Sequence, residues 1–216
     1  MALPAFLAMS EAHGELLNVY DAEGAVTGAM PRREAKRSGL AVGAVNVLLA
    51  TVDGEVLLQR RPADKENGGR WDKSVGGHVA AGEGFDETAV RETGEELFDD
   101  PASLRVVLAA DEAAFRARLA APRPLDGVLF RRVSFQRNLR DVRRGPDGAL
   151  RNVLYHVAVY LGRSDVPLGA FRPQASEIAG LGYFGRRAVD LMLLRGELAP
   201  NMAFLWLTHA HALLAG

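Results

Sequence analysis

Hydrophobic and polar positions along the chain outline an α/β protein before any single residue is considered. Leu16 to Tyr20 reads as a short strand, Asp21-Ala-Glu-Gly24 as a turn, and Ala25 to Met30 as a strand able to pair back. Pro31 to Ser38 reads as a basic connector. Leu40 to Thr51 is a nearly continuous apolar run, the pattern of a strand buried on both faces. Asp53-Gly54 then predicts a hairpin into Glu55 to Gln59, because Asp-Gly suits a type I′ turn. A polar loop over Arg60 to Arg70 leads into a predicted strand within Trp71 to Ala81, with Gly76 and Gly77 inside it. The spacing of Phe85, Ala89, Thr93 and Leu97, with Val90 beside them, predicts a helix over Phe85 to Leu97 with one buried stripe. Further on, strands are expected at Leu104 to Ala109, Val128 to Phe135, Val153 to Tyr160 and Ile178 to Phe184, with a short helix at Glu112 to Ala120. A Gly145-Pro-Asp-Gly148 turn lies between the third and second last of these strands. Two closing helices, Arg186 to Arg195 and Ala203 to Leu214, are separated by Gly196 and Pro200 as breakers.

Composition narrows the function classes. The 216 residues, 48% hydrophobic and 25% charged, fit one domain with decorations. A formal charge of -1 provides no global field for a nucleic-acid polymer or an anionic membrane. The chain has no cysteine, which excludes disulfides, thiolate catalysis and zinc-cysteine sites. Met1 to Ser10 carries no basic residue before its apolar stretch, so it makes a poor signal peptide. No apolar run approaches the ~20 residues needed to span a bilayer. The expected location is the cytoplasm. There is no nucleophilic triad, P-loop or dinucleotide fingerprint.

The unusual feature is the acidic end of the predicted helix. Glu92 neighbours both Glu95 and Glu96 on the helix surface, and Asp99 and Asp100 follow at the negative end of the dipole. Like charges at this spacing cost ~0.2–0.5 kcal/mol per pair in a bare helix. A divalent cation would reverse that sign, and carboxylate oxygens are the hard ligands that Mg²⁺ and Mn²⁺ prefer. The bland alternative is a solvated acidic face.

Gly77, Glu83, Arg91, Glu92, Glu95 and Glu96 resolve the choice, because their spacing resembles the Nudix box: glycine, five residues, glutamate, seven residues, Arg-Glu, two residues, Glu-Glu. Thr93 replaces the apolar residue after Arg-Glu, and Phe98 and Asp99 replace a glycine and an apolar residue after Glu-Glu. The resemblance implies an α/β/α sandwich with a mixed sheet, and attack by water on a nucleoside diphosphate linked to another group. It implies metal binding by Glu92, Glu95 and Glu96, a brace formed by Glu83 and Arg91, and Gly77 as the glycine that opens the box. Val56-Leu-Leu-Gln-Arg-Arg61, Lys65 and Trp71-Asp-Lys-Ser-Val-Gly-Gly-His-Val79 resemble the branch related to isopentenyl diphosphate isomerase. That isomerase needs a catalytic cysteine and histidine ligands upstream of the box. Here there is no cysteine, and His13 is the only histidine before Gly77, so the isomerase reaction is disfavoured.

Other residues are weaker candidates. Gly76 and Gly77 inside a strand suggest close approach of a phosphate or metal to backbone, or a bulge. Arg60, Arg61 and Arg70 could bind substrate phosphate oxygens, or be solvated loop arginines. His78 is a candidate for metal or substrate contact, or a surface residue. Glu177 is a candidate further ligand or base. Trp71, Phe204 and Trp206 read as core or interface residues. Arg131 to Arg151 holds seven arginines against two aspartates, suited either to gripping an anion or to an exposed β-ribbon protected by charge.

The expectation is therefore a single Nudix-type domain over residues 1–216, with an insertion about 111–150 and a helical pair about 186–215. It would hydrolyse a phosphoanhydride with Mg²⁺ or Mn²⁺ on Glu92, Glu95 and Glu96, with Glu95 or a glutamate outside the box taking the proton. The expected partners are a small-molecule diphosphate and, at most, a second copy of the chain in a homodimer. The competing reading is a catalytically silent module that binds a nucleotide-like ligand.

Overall fold

The computed structural model describes residues 15–122, 125–144 and 150–214. The amino-terminal decapeptide, His13 and the expected turn at residues 145–148 lie outside them. The chain divides into two compact units, each built from separate stretches: Met1–Val45, Gly77–Thr88 and Ser134–Ala158 in the first, and Asn46–Gly76, Ala89–Val133 and Val159–Gly216 in the second.

In the first unit, β1 (Leu16–Tyr20) pairs antiparallel with β2 (Val26–Pro31), and Val19 and Tyr20 of β1 pair with Val42 and Ala41 of β3 (Ala41–Ala50). The turn between β1 and β2 forms where Asp21 predicts it, since Asp21 Oδ1 accepts from the N–H groups of Glu23 (3.1 Å) and Ala25 (2.8 Å). The expected basic connector contains a single helical turn, α1 (Arg32–Ala35), which buries Ala35. Gly43 interrupts the apolar run of β3 for a steric reason: a Cβ there would stand 2.7 Å from Val79 Cγ2. A fully buried His156 ties the β1–β2 turn down. Its Nδ1 accepts the Asn138 N–H at 3.1 Å, which leaves the proton on Nε2 for the Asp21 carbonyl at 2.9 Å. Tyr20 packs edge-on against the ring at 5.5 Å.

In the second unit the hydrogen-bonded strand order β10-β4-β3-β9-β8-β7 is made by β4 (Val56–Arg60), β7 (Val106–Leu108), β10 (Gly180–Phe184) and the parts of β3, β8 (Val128–Arg144) and β9 (Leu150–Arg163) that fall within it. The β7–β8 pair is parallel, whereas β3–β4 and β4–β10 are antiparallel, so the sheet is mixed, as expected. The predicted hairpin between β3 and β4 forms, but its turn is not type I′: only Gly54, at φ 81°, is left-handed, and its N–H donates to the Thr51 carbonyl at 3.1 Å. The core here is apolar: Leu48, Leu49, Leu57, Leu58, Leu129 and Phe130 are fully buried.

Three local expectations need correction. The strand predicted within Trp71 to Ala81 is two short strands, β5 (Trp71–Asp72) and β6 (Val75–His78), with different partners: β5 pairs β4 and β6 pairs β3. Lys73 and Ser74 break the run because the Ser74 hydroxyl donates to the Leu57 carbonyl and accepts the Leu49 N–H, replacing ladder bonds. The strands flanking the arginine-rich segment are 17 and 14 residues long, well beyond the apolar stretches that signal them. Pro200 starts a helix instead of breaking one. The helices are α2 (Phe85–Phe98), α3 (Glu112–Leu119), α4 (Arg186–Leu194) and α5 (Pro200–Leu214), and proline suits the first turn because that N–H has no helical partner.

Candidate active site

Helix α2 carries the site. Its start is fixed by Glu87, whose Oε2 accepts the Gly84 N–H at 2.9 Å, and by Thr88, whose hydroxyl donates to Glu83 Oε2 at 2.8 Å. Its stripe of Ala89, Thr93 and Leu97 is fully buried. Thr93 tolerates a position expected to be apolar because its hydroxyl donates back to the Ala89 carbonyl at 2.7 Å. The helix ends in a left-handed cap: Asp99, at φ 54°, donates its N–H to the Glu95 carbonyl, and the Asp100 N–H reaches the Gly94 carbonyl. A Cβ at residue 94 would sit 2.2 Å from the Asp100 oxygen, so this return of the chain requires Gly94.

The glutamates do not form a uniform solvated face. Glu96 is 7% exposed and accepts a hydrogen bond from the Gln59 amide at 3.1 Å. Glu92 and Glu95 are half-buried, and Arg91 lies between them, with Nη2 3.1 Å from Glu92 Oε1 and Nη1 2.8 Å from Glu95 Oε2. Burial, then the negative charge of Glu92, pushes the Glu96 carboxyl up to about 8; Asp72 adds to this, while Lys73 and the Gln59 hydrogen bond pull the other way. Asp72 behaves oppositely. Burial alone would raise it, but the Lys73 charge, the Lys73 N–H and Arg61 together hold it below the usual carboxylate range. Among the described residues, no three carboxylate or imidazole groups are gathered into a ready-made metal cage. The donor set nevertheless suits a hard divalent ion: three carboxylates share one helix end, and the most buried of them has no full counter-charge of its own.

The remaining candidates divide. Arg61 is occupied within its loop, donating to Asp72 (3.0 Å) and the Glu66 carbonyl (2.6 Å), and Arg70 donates to the Leu198 carbonyl at 3.2 Å. Arg60 is exposed and donates through Nε to Gly69 O at 3.2 Å. Glu177 forms an exposed ion pair with Lys65 at 2.8 Å. His78 is half-buried, 6.0 Å from the Tyr155 ring. Trp206 is a core residue that donates to Asp190 at 2.7 Å, Trp71 packs edge-on against Phe184 at 4.7 Å, and Phe204 is exposed. In the arginine-rich segment, Arg131 pairs with Glu112 and lies over the Phe115 ring, while Arg132, Arg137 and Arg140 are exposed on β8.

Three residues of the site, Gln59, Asp72 and Lys73, are absent from the sequence-based candidates. Their signal is a conflict in pattern: each is a polar residue inside a stretch that otherwise reads as buried strand, and all three are buried.

Residues 40–142, the span holding these groups, match the NUDIX domain model. The matched span is 103 of the 216 residues, and the Nudix family that it resembles generally uses divalent metal ions. The chain is 38% identical over 92 residues to an uncharacterized Nudix hydrolase of Pseudomonas aeruginosa, an alignment covering 42% of this chain and 54% of the relative. A similar match, 40% over 85 residues, links it to an uncharacterized Nudix hydrolase of Rhodococcus erythropolis, covering 38% and 46%. The chain thus spans about half the length of the curated relatives it matches. The crystal structure of DR0079 from Deinococcus radiodurans shares the fold, with a TM-score of 0.59 at 22% identity, over 88% of this chain and 96% of that one. Among the described residues, no helix is long and apolar enough to cross a membrane.

Proposed function

We propose that this chain is a single-domain Nudix hydrolase of the cytoplasm that cleaves the diphosphate linkage of a nucleoside diphosphate derivative or a similar small molecule. The observation that carries the reading is the buried Glu96 carboxyl facing the charge of Glu92 on the box helix. Such a group is costly as an isolated anion and becomes favourable once a cation shares it. Glu92, Glu95 and Glu96 would hold Mg²⁺ or Mn²⁺, which would polarise the phosphate and acidify a bound water. Glu92 and Glu95, now paired with Arg91, would have to release it to hold an ion, and Arg91 would remain beside them as a positive group able to meet anionic oxygens. Glu95, the most exposed of the three at 34%, is the glutamate of the set best placed to take a proton from water. Exposed Arg60 fits substrate binding better than Arg61 or Arg70, whose donors hold the loop and its neighbours. Backbone at Gly77 would approach the substrate, and Glu83 and Arg91 would serve as the bracing pair that the box resemblance implies.

Formation of a nucleoside monophosphate and its phosphorylated partner from a panel of nucleoside diphosphate derivatives, including ADP-ribose (to AMP and ribose 5-phosphate), tests it. Hydrolysis is expected with Mg²⁺ or Mn²⁺ and lost in EDTA. Full activity in EDTA removes the metal mechanism. Binding of a panel member without turnover, at saturating metal, leaves a silent ligand-binding module instead.

A further inference from the structure

Position 76 is a glycine with an identifiable neighbour. A Cβ built there would stand 2.0 Å from Cε and 2.9 Å from Nζ of Lys73, so any side chain at 76 would have to displace the far end of the lysine from its present position. Lys73 is itself buried, 8% exposed. Its ammonium lies 3.4 and 3.5 Å from the two oxygens of Asp72, long contacts to a carboxylate that Arg61 already holds at 3.0 Å. Asp72 is the cross-strand partner of Gln59, and Gln59 donates to Glu96. Lys73 is also the cation that offsets the negative surroundings of Glu96. An ammonium has three donors, and a long contact to an already paired carboxylate is a weak reason to bury one.

We propose that Lys73 is a positioning residue for the Glu96 carboxylate, and that residue 76 is glycine in order to seat it. Gly76 then acts through Lys73, and close approach of a phosphate to the backbone is not what excludes a side chain there. The functional consequence rests on the reading of Glu96 as a metal ligand; the placement of Glu96 does not.

Glutamine occurs only at positions 59, 136 and 174, so selective ¹⁵N-glutamine labelling gives three side-chain amides, and Gln59 is assigned by its loss in Gln59→Leu. In Lys73→Ala the Gln59 signals should move to where they lie in Glu96→Ala, the reference for a broken Gln59–Glu96 bond. Gly76→Ala should move them the same way alone and add nothing in the Lys73→Ala background. The chain has no cysteine, so aminoethylation of Lys73→Cys restores a lysine-like side chain at one site and should return the signals to their original positions. Unmoved Gln59 signals in Lys73→Ala overturn the positioning role. A further shift from Gly76→Ala in the Lys73→Ala background overturns the seating. Should Gly76→Ala alone fail to fold, the double variant, which has room for the Cβ, is expected to fold; its failure also overturns the seating. Mn²⁺ binding by wild type and Glu96→Gln is measured in parallel: equal affinities remove Glu96 as a ligand, whatever the Gln59 signals show.

Discussion

Glu96→Gln separates a metal ligand from a merely buried acid, and the structure sets the size of the effect. Without metal, the Glu96 carboxyl is pushed from 4.5 to about 8, chiefly by burial and then by Glu92. A folded-state pKa above the unfolded one stabilises only while the group is protonated. Its contribution is fully present below about pH 4.5 and is lost as pH rises toward 8. With each unit worth about 1.4 kcal/mol, Glu96 withdraws up to about 3 kcal/mol from the metal-free protein by pH 7. Glutamine keeps the shape and can accept the Gln59 amide through its carbonyl, yet cannot ionise. The metal-free variant should therefore be the more stable at pH 7, by on the order of 1–3 kcal/mol, or roughly 3–10 °C in Tm for a chain of this size. It should also lack the fall in stability between pH 5 and 8. Charge repulsion along an open helix would account for only a few tenths of a kcal/mol. With Mg²⁺ the gap should close or reverse, since an ion at a hundred times its Kd adds about 2.7 kcal/mol to whichever protein binds it, and turnover of the variant should fall by orders of magnitude. Thermal melts in EDTA and in millimolar Mg²⁺, at several pH values, provide the assay. Coincident melts in EDTA from pH 5 to 8 would refute the burial argument; an undiminished gap and equal turnover in Mg²⁺ would refute the ligand assignment.

Three further outcomes are expected. Pure protein should not convert isopentenyl diphosphate to dimethylallyl diphosphate, because no cysteine is present; conversion at an enzymatic rate, followed by product analysis, contradicts this. Neutralising Arg137, Arg140 and Arg143 together should raise KM and weaken its dependence on salt if the ribbon grips substrate phosphates, whereas unchanged steady-state kinetics leave it a structural ribbon. His156→Leu should cost about 1–2 kcal/mol in denaturant unfolding, since it removes the buried imidazole's part-buried bonds to the Asn138 N–H and the Asp21 carbonyl; a loss below about 0.5 kcal/mol would mean that water replaces both bonds.

Much of the fold is legible along the chain, for a physical reason. Elements such as β1, the β3–β4 hairpin and α2 are specified by local rules: alternation or continuity of apolar residues, an Asp-Gly turn and a four-residue stripe. These rules act within ten or so residues. The glutamate cluster is legible for the same reason, because Glu92, Glu95 and Glu96 are neighbours on one helix by sequence spacing alone. What no spacing conveys is the difference among them. Tertiary packing buries Glu96 while leaving Glu92 and Glu95 half-exposed, and brings Gln59 to it across 37 positions of sequence. Desolvation depends on which strands cover a carboxylate, which is a property of the assembled sheet. The same holds at Gly76. As sequence, two glycines in a strand permit a phosphate, a metal or a bulge; in the fold, the far end of Lys73 lies where a side chain at 76 would go. Lys73, Asp72 and Gln59 read as flaws in an apolar pattern until pairing of β4 with β5 places them beside the glutamate that α2 carries. Local sequence thus determines the three glutamates of the site, and long-range packing decides which of them is desolvated and which polar strand residues join it.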